Sequence, residues 1–312
     1  MEQFTVSASP HGFLAVSDLD LNFKQCDRFM IVRLAQTAPR LGNSEHNFEQ
    51  CRKLIVQAAA DNVELIVFPE LSLTGYLLKD MVALVAISSR DKIVEQLAGM
   101  SDKLSILVGL VEHGEDYFFY NSAFYFEKGR LAKRYRKAHL PTYGMFDEGR
   151  YFARGNRIEA FDTRFGRVGI MICEDAWHPI NPYILSQDGA QVLLVVSNSP
   201  VRGMTGDGSD FLSVQNWRLI CQSYALLYSS FVVYVNRVGC EDGISFSGSS
   251  LVVDPFGRVI ASLPFLEEAV ETVELDLDEL ARARIGSPIL ADEKFLTSLH
   301  ELERIRKATF GD

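Results

Sequence analysis

The chain has 312 residues, of which 47% are hydrophobic and 23% are charged, and its formal net charge at pH 7 is −10. This length and apolar content are sufficient for one large domain with a substantial core. The acidic balance argues against nucleic acid and anionic membrane surfaces as partners. No apolar run approaches the roughly 18 to 20 residues of a membrane span, and the first residues lack a signal-peptide pattern, so we expect a cytoplasmic protein.

The five cysteines and six histidines give no sign of a metal site. The cysteines are odd in number and irregularly spaced, with neither a C-x-x-C pair nor the pattern of a disulfide framework. The histidines do not cluster along the chain. The sequence therefore predicts a reduced compartment, no metal and no other cofactor.

Short β-branched runs alternate with helical patterns along the chain. The predicted strands are Phe29–Thr37, Glu64–Phe68, Ser105–Glu112, Tyr117–Glu127, Arg130–Arg136, Arg157–Asp162, Val168–Cys173, Gln191–Ser197, Phe231–Arg237, Ser249–Asp254 and Arg258–Ser262. The first helix is predicted behind an Asn43 N-cap, because apolar side chains from Phe48 to Ala58 recur at i, i+3 and i+4 spacing. The other predicted helices are Asp80–Leu104, Pro179–Asp188, Asp210–Ser229 and Leu277–Arg284.

Turn-forming sequences, rather than helices, join several of these strands. Glu127–Arg130, Thr163–Gly166 and Asp254–Gly257 each have hairpin chemistry between two β runs. A sheet that mixes hairpins with β-α-β units should contain both parallel and antiparallel strands. The expected organisation is an N-terminal extension of unknown role (1–28), one main domain (29–270) and a charged helical tail (271–312).

Three chemically useful side chains lie at the ends of predicted strands, where α/β proteins place their chemistry. Glu70 follows a proline that cannot continue a hydrogen-bonded ladder, and a carboxylate at a partly buried strand end suits a general base. Lys137 closes a strand, where an ammonium can favour a neighbouring thiolate and stabilise an oxyanion. Cys173 ends the apolar run that begins at Val168, where a thiol can serve as a nucleophile.

Each of these residues also has a plain structural interpretation. Glu70 would then be a loop carboxylate, Lys137 a solvated member of a basic run, and Cys173 an inert core cysteine. The three are not independent, however, because each one ends a strand in a mixed sheet. A base, an electrophilic stabiliser and a nucleophile together suit acyl transfer from an amide or a nitrile.

The motifs around these residues resemble those of the nitrilase, or carbon–nitrogen hydrolase, superfamily. The matching segments, which extend over about residues 29–265, are Pro69-Glu70, Lys137-x-His-Leu-Pro141, Phe161–Gly166, Cys173-Glu-Asp-x-Trp177, Ser197–Pro200 and Phe246–Gly257. The resemblance implies a catalytic triad of Glu70, Lys137 and Cys173. It also implies an α/β fold, a four-layer α-β-β-α sandwich with a pair of mixed sheets, and a homo-oligomer.

Within the superfamily, three segments look most like the glutaminase domain of glutamine-dependent NAD synthetase. They are Glu70–Tyr76, Leu140–Phe152 and Ile172–Trp177. This resemblance implies that Tyr143 lines an amide pocket and that Glu148 is a second acidic residue supporting Lys137; the alternatives are a packed aromatic ring and a turn carboxylate.

The same resemblance assigns less specific roles to residues around and after the cysteine. A backbone N–H near Glu174 is expected to help hold an oxyanion. The residues expected to contact the α-amino-acid head of the substrate are Ser197, Ser199 and Arg202.

The resemblance predicts a thiol amidohydrolase, preferably one that converts L-glutamine into glutamate and ammonia. The alternatives are the same chemistry on an N-carbamoyl amino acid, another amide or a nitrile, and a non-catalytic subunit on the same scaffold. The sequence to Asp312 contains no Ser-Gly-Gly-x-Asp-Ser loop of an ATP pyrophosphatase domain. We therefore expect the chain either to hydrolyse an amide independently or to supply ammonia to a separate NAD synthetase.

Overall fold

Two six-stranded sheets form the centre of the molecule. The computed structural model describes residues 29–205 and 211–311. In spatial order, the first sheet consists of β14 (Ala269–Asp276), β1 (Phe29–Gln36), β2 (Leu65–Val67), β3 (Ser105–His113), β4 (Phe119–Glu127) and β5 (Arg130–Arg136). The second consists of β13 (Val259–Ser262), β12 (Leu251–Val253), β9 (Phe231–Asn236), β8 (Val192–Ser197), β7 (Gly166–Ile172) and β6 (Phe161–Thr163). A separate hairpin is formed by β10 (Val238–Glu241) and β11 (Ile244–Ser247).

Helices connect and flank these strands. They are α1 (Ser44–Ala60), α2 (Val82–Val85), α3 (Lys92–Met100), α4 (Glu148–Tyr151), α5 (Ile180–Gln187), α6 (Leu212–Tyr228), α7 (Asp278–Gly286), α8 (Ile289–Asp292) and α9 (Phe295–Phe310). The first begins as predicted, because the Asn43 side chain accepts a 3.1 Å hydrogen bond from the His46 backbone N–H. Within the described ranges, no helix is both long and apolar enough to cross a membrane.

The apolar core fills three spaces between four layers. Between the sheets, alternate side chains of facing strands interdigitate, such as Val32 of β1 and Ile170 of β7. On the outer face of the first sheet, Ile106 of β3 belongs to the core that includes α1 and α3. On the outer face of the second sheet, Leu193 of β8 packs in a cluster with Trp217 of α6. The predicted α-β-β-α sandwich is therefore confirmed.

Both sheets are mixed, as predicted. In the first sheet β1, β2 and β3 run parallel, and in the second β7, β8 and β9 run parallel. The predicted turns at Glu127–Arg130, Thr163–Gly166 and Asp254–Gly257 each connect antiparallel neighbours. Because Ile172 of β7 is paired with Val196 of β8, the two strands end side by side at one edge.

The predicted helix Asp80–Leu104 is wrong as a single element. The segment divides into a short 3-10 helix, α2 and α3, separated by an extended stretch in which Ile87 pairs with Glu112 of β3. The Asp91 carboxylate accepts a 2.6 Å hydrogen bond from the Ser88 backbone N–H, which satisfies that donor without a helix. Short polar side chains compete with helical hydrogen bonding in this way.

The sequence missed β10, β11 and β14, and it placed one strand too early. Residues 157–160 lie outside any ladder, whereas the strand predicted at Arg157–Asp162 occupies Phe161–Thr163. Strand β14 pairs antiparallel with β1, so residues 271–276 of the predicted helical tail belong to the sheet instead. Half of the residues of β14 are exposed, and several are polar or acidic, as is common in an edge strand. This polar composition is the reason why the sequence did not indicate a strand here. The predicted extension at 1–28 lies outside the described residues, and the division into domains stays a prediction.

Candidate active site

A buried ion-pair cluster lies where β5 ends. Lys137 follows β5 directly, and its backbone N–H donates to the carbonyl of Asn121 in β4 at 2.9 Å. Its Nζ lies 2.8 Å from Oε1 of Glu70 and 2.7 Å from Oε1 of Glu148. None of the three side chains is more than 5% exposed. Two of the predicted triad residues are therefore in direct contact, together with the predicted second acidic residue.

The charges in this cluster depend strongly on one another. Burial by itself lowers the pKa of Lys137, but the carboxylates of Glu148 and Glu70 outweigh it and hold that pKa well above its ordinary value. Burial raises the pKa of Glu148 to about 7, an effect that Lys137 opposes and Glu70 reinforces. The Tyr76 hydroxyl donates a 2.6 Å hydrogen bond to Oε1 of Glu148. A stable cation thus lies beside a carboxylate that titrates near neutrality.

Glu70 is held by three hydrogen-bond donors. Its Oε1 accepts from Nζ of Lys137 and, at 2.7 Å, from Nδ2 of Asn121. Its Oε2 accepts from the backbone N–H of Asn198 at 2.7 Å. The backbone of Glu70 also lies against Gly109 of β3, where a Cβ would be 2.8 Å from the Glu70 carbonyl carbon. The carboxylate is therefore fixed both by its hydrogen bonds and by close backbone packing.

Cys173 stands at a sharp turn of the chain. Its φ of 46° lies in the left-handed region, which non-glycine residues rarely adopt, and it marks the change from β7 to the 3-10 helix Cys173–Trp177. Burial and the negative charge of Glu70 raise the pKa of the thiol, whereas Lys137 and a hydrogen bond from Ser197 act in the opposite direction. The effect expected of Lys137 is present, but burial outweighs it. The resting thiol is protonated at neutral pH, so a nucleophilic role requires a base.

Asp175 connects the ends of β5 and β7. Its Oδ1 accepts hydrogen bonds from the backbone N–H groups of Ala138 at 3.1 Å and His139 at 2.9 Å. Its Oδ2 accepts from the backbone N–H of Ile172 at 3.1 Å and from the Tyr135 hydroxyl at 2.9 Å. The side chain is fully buried. One carboxylate thus fixes the position of one sheet's functional edge relative to the other's.

A cleft of about 370 Å³ opens at Cys173. Besides the cysteine, its wall includes aromatic and polar side chains, among them Tyr143, Phe146, Trp177, Trp217, Glu174, Ser199 and Arg202. The Tyr143 hydroxyl donates to the Glu174 carboxylate at 3.0 and 3.1 Å. Burial and this hydrogen bond raise the pKa of Tyr143 to about 12. The volume is that of a small-molecule site, and no group of three or more His, Cys, Asp or Glu side chains in the described ranges is arranged to hold a metal ion.

The other predicted residues occupy two different environments. Tyr143, Glu174, Ser199 and Arg202 line the cleft, and the Arg202 guanidinium lies 5.7 Å from the centroid of a neighbouring phenylalanine ring. Ser197 differs from them because it is fully buried, and its hydroxyl donates to Sγ of the cysteine at 3.2 Å. The sequence grouped Ser197 with the residues that contact substrate, whereas its nearest chemical neighbour is the thiol.

Three residues of the site were not identified from the sequence. Asn121 is a polar residue in the middle of an apolar strand, and Asp175 lies two positions after the cysteine within a motif that the sequence displays. Both positions offered a signal that sequence reasoning could have used. Tyr76 reaches Glu148 across 72 residues of chain, and no local pattern indicates that contact.

Comparisons with known proteins agree with this architecture. The family model described as carbon-nitrogen hydrolase matches residues 31–285. The glutamine-dependent NAD(+) synthetase of Thermotoga maritima is 35% identical over 263 residues, which cover 82% of this chain and 44% of that protein. An (R)-stereoselective amidase of a Pseudomonas species is 31% identical over 277 residues, which cover 88% of this chain and 95% of the amidase. The chain thus spans less than half the length of this synthetase but nearly the whole amidase.

A solved structure shows the same correspondence in three dimensions. The glutamine-dependent NAD+ synthetase of Acinetobacter baumannii superimposes with a TM-score of 0.71 at 30% sequence identity, covering 81% of this chain and 46% of that one. The family match extends over well more than half of the chain, and sequence and fold point to the same group of hydrolases. The chain therefore belongs to the carbon–nitrogen hydrolase family of the nitrilase superfamily.

Proposed function

We propose that this protein is a thiol amidohydrolase that hydrolyses the side-chain amide of L-glutamine to glutamate and ammonia. The observation that supports this most directly is the buried Glu70–Lys137–Glu148 cluster close to a protonated Cys173 at a small cleft. A protonated thiol needs a base, and Glu70 is the carboxylate whose charge acts on it most strongly. In this proposal Cys173 is the nucleophile, Glu70 the base and Lys137 the electrophilic stabiliser.

Acylation begins when the proton of the Cys173 thiol moves to Glu70. The thiolate attacks the amide carbonyl carbon, and the C=O electron pair moves onto the oxygen. Lys137, which remains an ammonium, and the backbone N–H of Glu174 stabilise this oxyanion. When the oxyanion collapses, the C–N bond breaks and Glu70 returns its proton to the leaving nitrogen, so ammonia and a Cys173 thioester are formed.

Deacylation repeats the same transfers with water. Glu70 takes a proton from a water molecule as its oxygen attacks the thioester carbonyl, and Lys137 again stabilises the oxyanion. The C–S bond then breaks, the carboxylic acid product is released, and the thiolate recovers its proton from Glu70. The balance is one amide and one water consumed, and one carboxylic acid and one ammonia formed.

The polar wall of the cleft suits the amino-acid head of glutamine. A zwitterionic head presents one carboxylate and one ammonium, and the wall carries the Arg202 guanidinium and the Glu174 carboxylate. In the proposal Arg202 binds the α-carboxylate in a bidentate manner and Glu174 accepts from the α-ammonium. Tyr143 orients Glu174 through its hydroxyl, and Ser199 lines the same wall.

Ammonia release from L-glutamine tests the proposal in the full chain. Replacing Cys173 by alanine removes the nucleophile, so kcat/KM should fall on the order of 10³-fold or more. Cys240→Ala is a matched control, because that cysteine is exposed and lies in the separate β10–β11 hairpin, and its activity should equal that of the wild type. Undiminished glutamine hydrolysis by Cys173→Ala would show that the mechanism is wrong.

A second candidate function keeps the chemistry and changes the substrate. The Pseudomonas amidase is matched along 95% of its length, so a chain of this extent is sufficient for an amidase of the family. The aromatic part of the cleft, which includes Phe146, Trp177 and Trp217, also suits a less polar amide. A panel of L-glutamine, aliphatic and aromatic amides, N-carbamoyl amino acids and nitriles, assayed for ammonia, separates the candidates. Release from an apolar amide but none from L-glutamine would favour the second.

We also propose a destination for the ammonia. Glutamine-dependent NAD synthetases are among the relatives of this chain, which supports an NAD synthetase as the enzyme that takes up the ammonia. An added ammonia-dependent NAD synthetase should then form NAD with L-glutamine as nitrogen donor and should stimulate glutamine hydrolysis. The homo-oligomer implied by the family stays a prediction, which light scattering of the purified chain measures directly.

A further inference from the structure

Ser197 is the last residue of β8 and lies beside the sulfur of Cys173. Strands β7 and β8 are parallel neighbours in which Ile172 is paired with Val196, so the next residues, Cys173 and Ser197, lie side by side. The Ser197 hydroxyl donates to Sγ at 3.2 Å, and the residue is fully buried. A serine at this position therefore faces the nucleophile.

A hydroxyl that donates to sulfur stabilises the thiolate more than the thiol, because hydrogen bonds to a charged acceptor are stronger than those to a neutral one. Sulfur carries negative charge twice in the proposed reaction, once when it attacks the amide and once when it leaves the thioester. A donor fixed beside it lowers the barrier to both events. We propose that Ser197 is a catalytic residue that donates its hydrogen bond to the Cys173 thiolate in acylation and in deacylation.

This inference rests on the proposed role of Cys173 as nucleophile, and it moves no proton of its own. The thiol proton goes to Glu70 and returns from it, while the serine keeps its hydroxyl proton throughout. Of the factors acting on the thiol, burial and Glu70 raise its pKa, and the Ser197 hydrogen bond is among those that lower it. Removing the hydroxyl therefore makes the thiolate harder to form.

The thiol faces titratable and charged groups from several elements, and any pH profile contains all of them. Those whose charges interact with it are Glu70 after β2, Tyr76 beyond it, Lys137 after β5, Tyr143 in the loop that follows, Glu148 of α4 and Tyr234 of β9. Of these, Tyr234 also interacts with Ser197, but burial holds the pKa of its hydroxyl well above the ordinary value, so Tyr234 stays neutral throughout the pH range tested. A shift that appears only when the serine hydroxyl is removed is thus assigned to that hydroxyl.

Alkylation of Cys173 by iodoacetamide between pH 6 and pH 10, followed by peptide mass spectrometry, tests the inference without any substrate. In Ser197→Ala the alkylation rate should fall on the order of 10-fold at each pH of this range, because the pKa of the thiol already lies above its ordinary value and rises further without the hydroxyl. The kcat for glutamine should fall by a similar factor while KM stays within about two-fold. Ser186→Ala, which changes a buried serine of α5, should leave the profile unchanged.

A second pair of variants keeps the test valid if Ser197→Ala folds poorly. Threonine and valine have the same shape and differ in the hydroxyl, so Ser197→Thr should retain the wild-type alkylation rate and Ser197→Val should show the slower one. An unchanged alkylation rate in both the alanine and the valine variants, or a rise in KM alone, would overturn the catalytic role. Failure of the proposed function looks different, because either Cys173→Ala would still hydrolyse glutamine or the wild type would release no ammonia from it, whatever the alkylation rates showed.

Discussion

The carboxylate of Asp175 accepts a 2.9 Å hydrogen bond from the backbone N–H of His139, and this bond joins the two sheets at their functional edge. His139 lies two residues after Lys137 on the first sheet's side, and Asp175 lies two residues after Cys173 on the second sheet's side. The distance between the proposed stabiliser and the proposed nucleophile therefore depends on a residue that takes no part in the chemistry.

Replacing Asp175 by asparagine should weaken both activity and stability. The carboxylate accepts hydrogen bonds from three backbone N–H groups and from the Tyr135 hydroxyl. In the asparagine variant, the side-chain NH2 group would face some of these donors and could not accept their hydrogen bonds. We expect a loss of about 1–3 kcal/mol in the free energy of unfolding and a fall in kcat of roughly 10-fold or more from misplacement of the reacting groups. Urea denaturation and steady-state kinetics measure the two effects. Asp162→Asn, at an exposed position of β6, should change stability by less than about 0.5 kcal/mol.

The pH dependence of activity should show the titration of Glu148. Its pKa is raised to about 7, and in the ionised form it fixes the Lys137 ammonium. As the pH falls through that value Glu148 gains a proton, and kcat/KM should decline. Glu148→Gln resembles the protonated form, so its activity should be low and lack this acid limb. If Glu148→Gln showed the same decline in kcat/KM at acid pH, the decline would come from another group.

The raised pKa of Glu148 should also make the free energy of unfolding decrease as the pH rises. A carboxyl whose pKa is higher in the folded than in the unfolded state favours folding most at low pH, and this contribution is lost as the pH rises through the folded value. Between pH 4.5, the ordinary value, and about 7, the wild type should therefore lose stability relative to Glu148→Gln. Guanidinium denaturation of both proteins at pH 5 and pH 8 measures the difference. A difference independent of pH would contradict the raised pKa.

Gly109→Ala should displace the backbone of Glu70, the proposed base. A Cβ at this position would lie 2.8 Å from the Glu70 carbonyl carbon and closer still to neighbouring backbone atoms, which cannot move independently of Glu70. Overpacking of this kind costs about 1–3 kcal/mol, and we expect kcat to fall roughly 10-fold or more because the carboxylate moves. Gly99→Ala is the control, since α3 has open space there and should gain about 0.5–1 kcal/mol.

Arg202→Ala should separate recognition from chemistry. In the proposed mode the guanidinium binds the substrate α-carboxylate, so KM for L-glutamine should rise on the order of 10-fold or more with little change in kcat. Butyramide, which has the amide but no α-carboxylate, should be hydrolysed equally well by the variant and the wild type. An equal loss for both substrates would mean that Arg202 acts on the cleft structure instead.

Most of the fold could be predicted because its strands are short apolar runs with distinct turns. The hairpin at Glu127–Arg130 and the N-cap at Asn43 depend on neighbouring residues, and local sequence indicates both. Strand β14 could not be predicted in the same way, because its pairing with β1 joins residues more than 230 positions apart. The break between α2 and α3 involves the pairing of Ile87 with β3 and a side-chain contact at Asp91, neither of which a hydrophobic pattern can show.

The residues of the candidate site also differ in whether local sequence indicates them. Glu70, Lys137 and Cys173 could be predicted because each follows a strand, and strand ends are visible in sequence. The contact of Tyr76 with Glu148 arises only when distant segments pack, and the buried state that raises the Cys173 pKa is likewise a property of the folded chain. The sequence therefore indicated the proposed reacting groups better than the residues that hold them in place.

The two halves of the proposed chemistry reside on different sheets, with the carboxylates and the ammonium carried by one and the thiol by the other. The proposed activity therefore requires that the two sheets are packed against each other. A partly denatured state in which each sheet keeps its own hydrogen bonds would retain its far-ultraviolet circular dichroism but would separate acid, base and nucleophile. In a denaturant titration, turnover should disappear at a lower denaturant concentration than secondary structure. The loss of activity would then measure the separation of the two sheets.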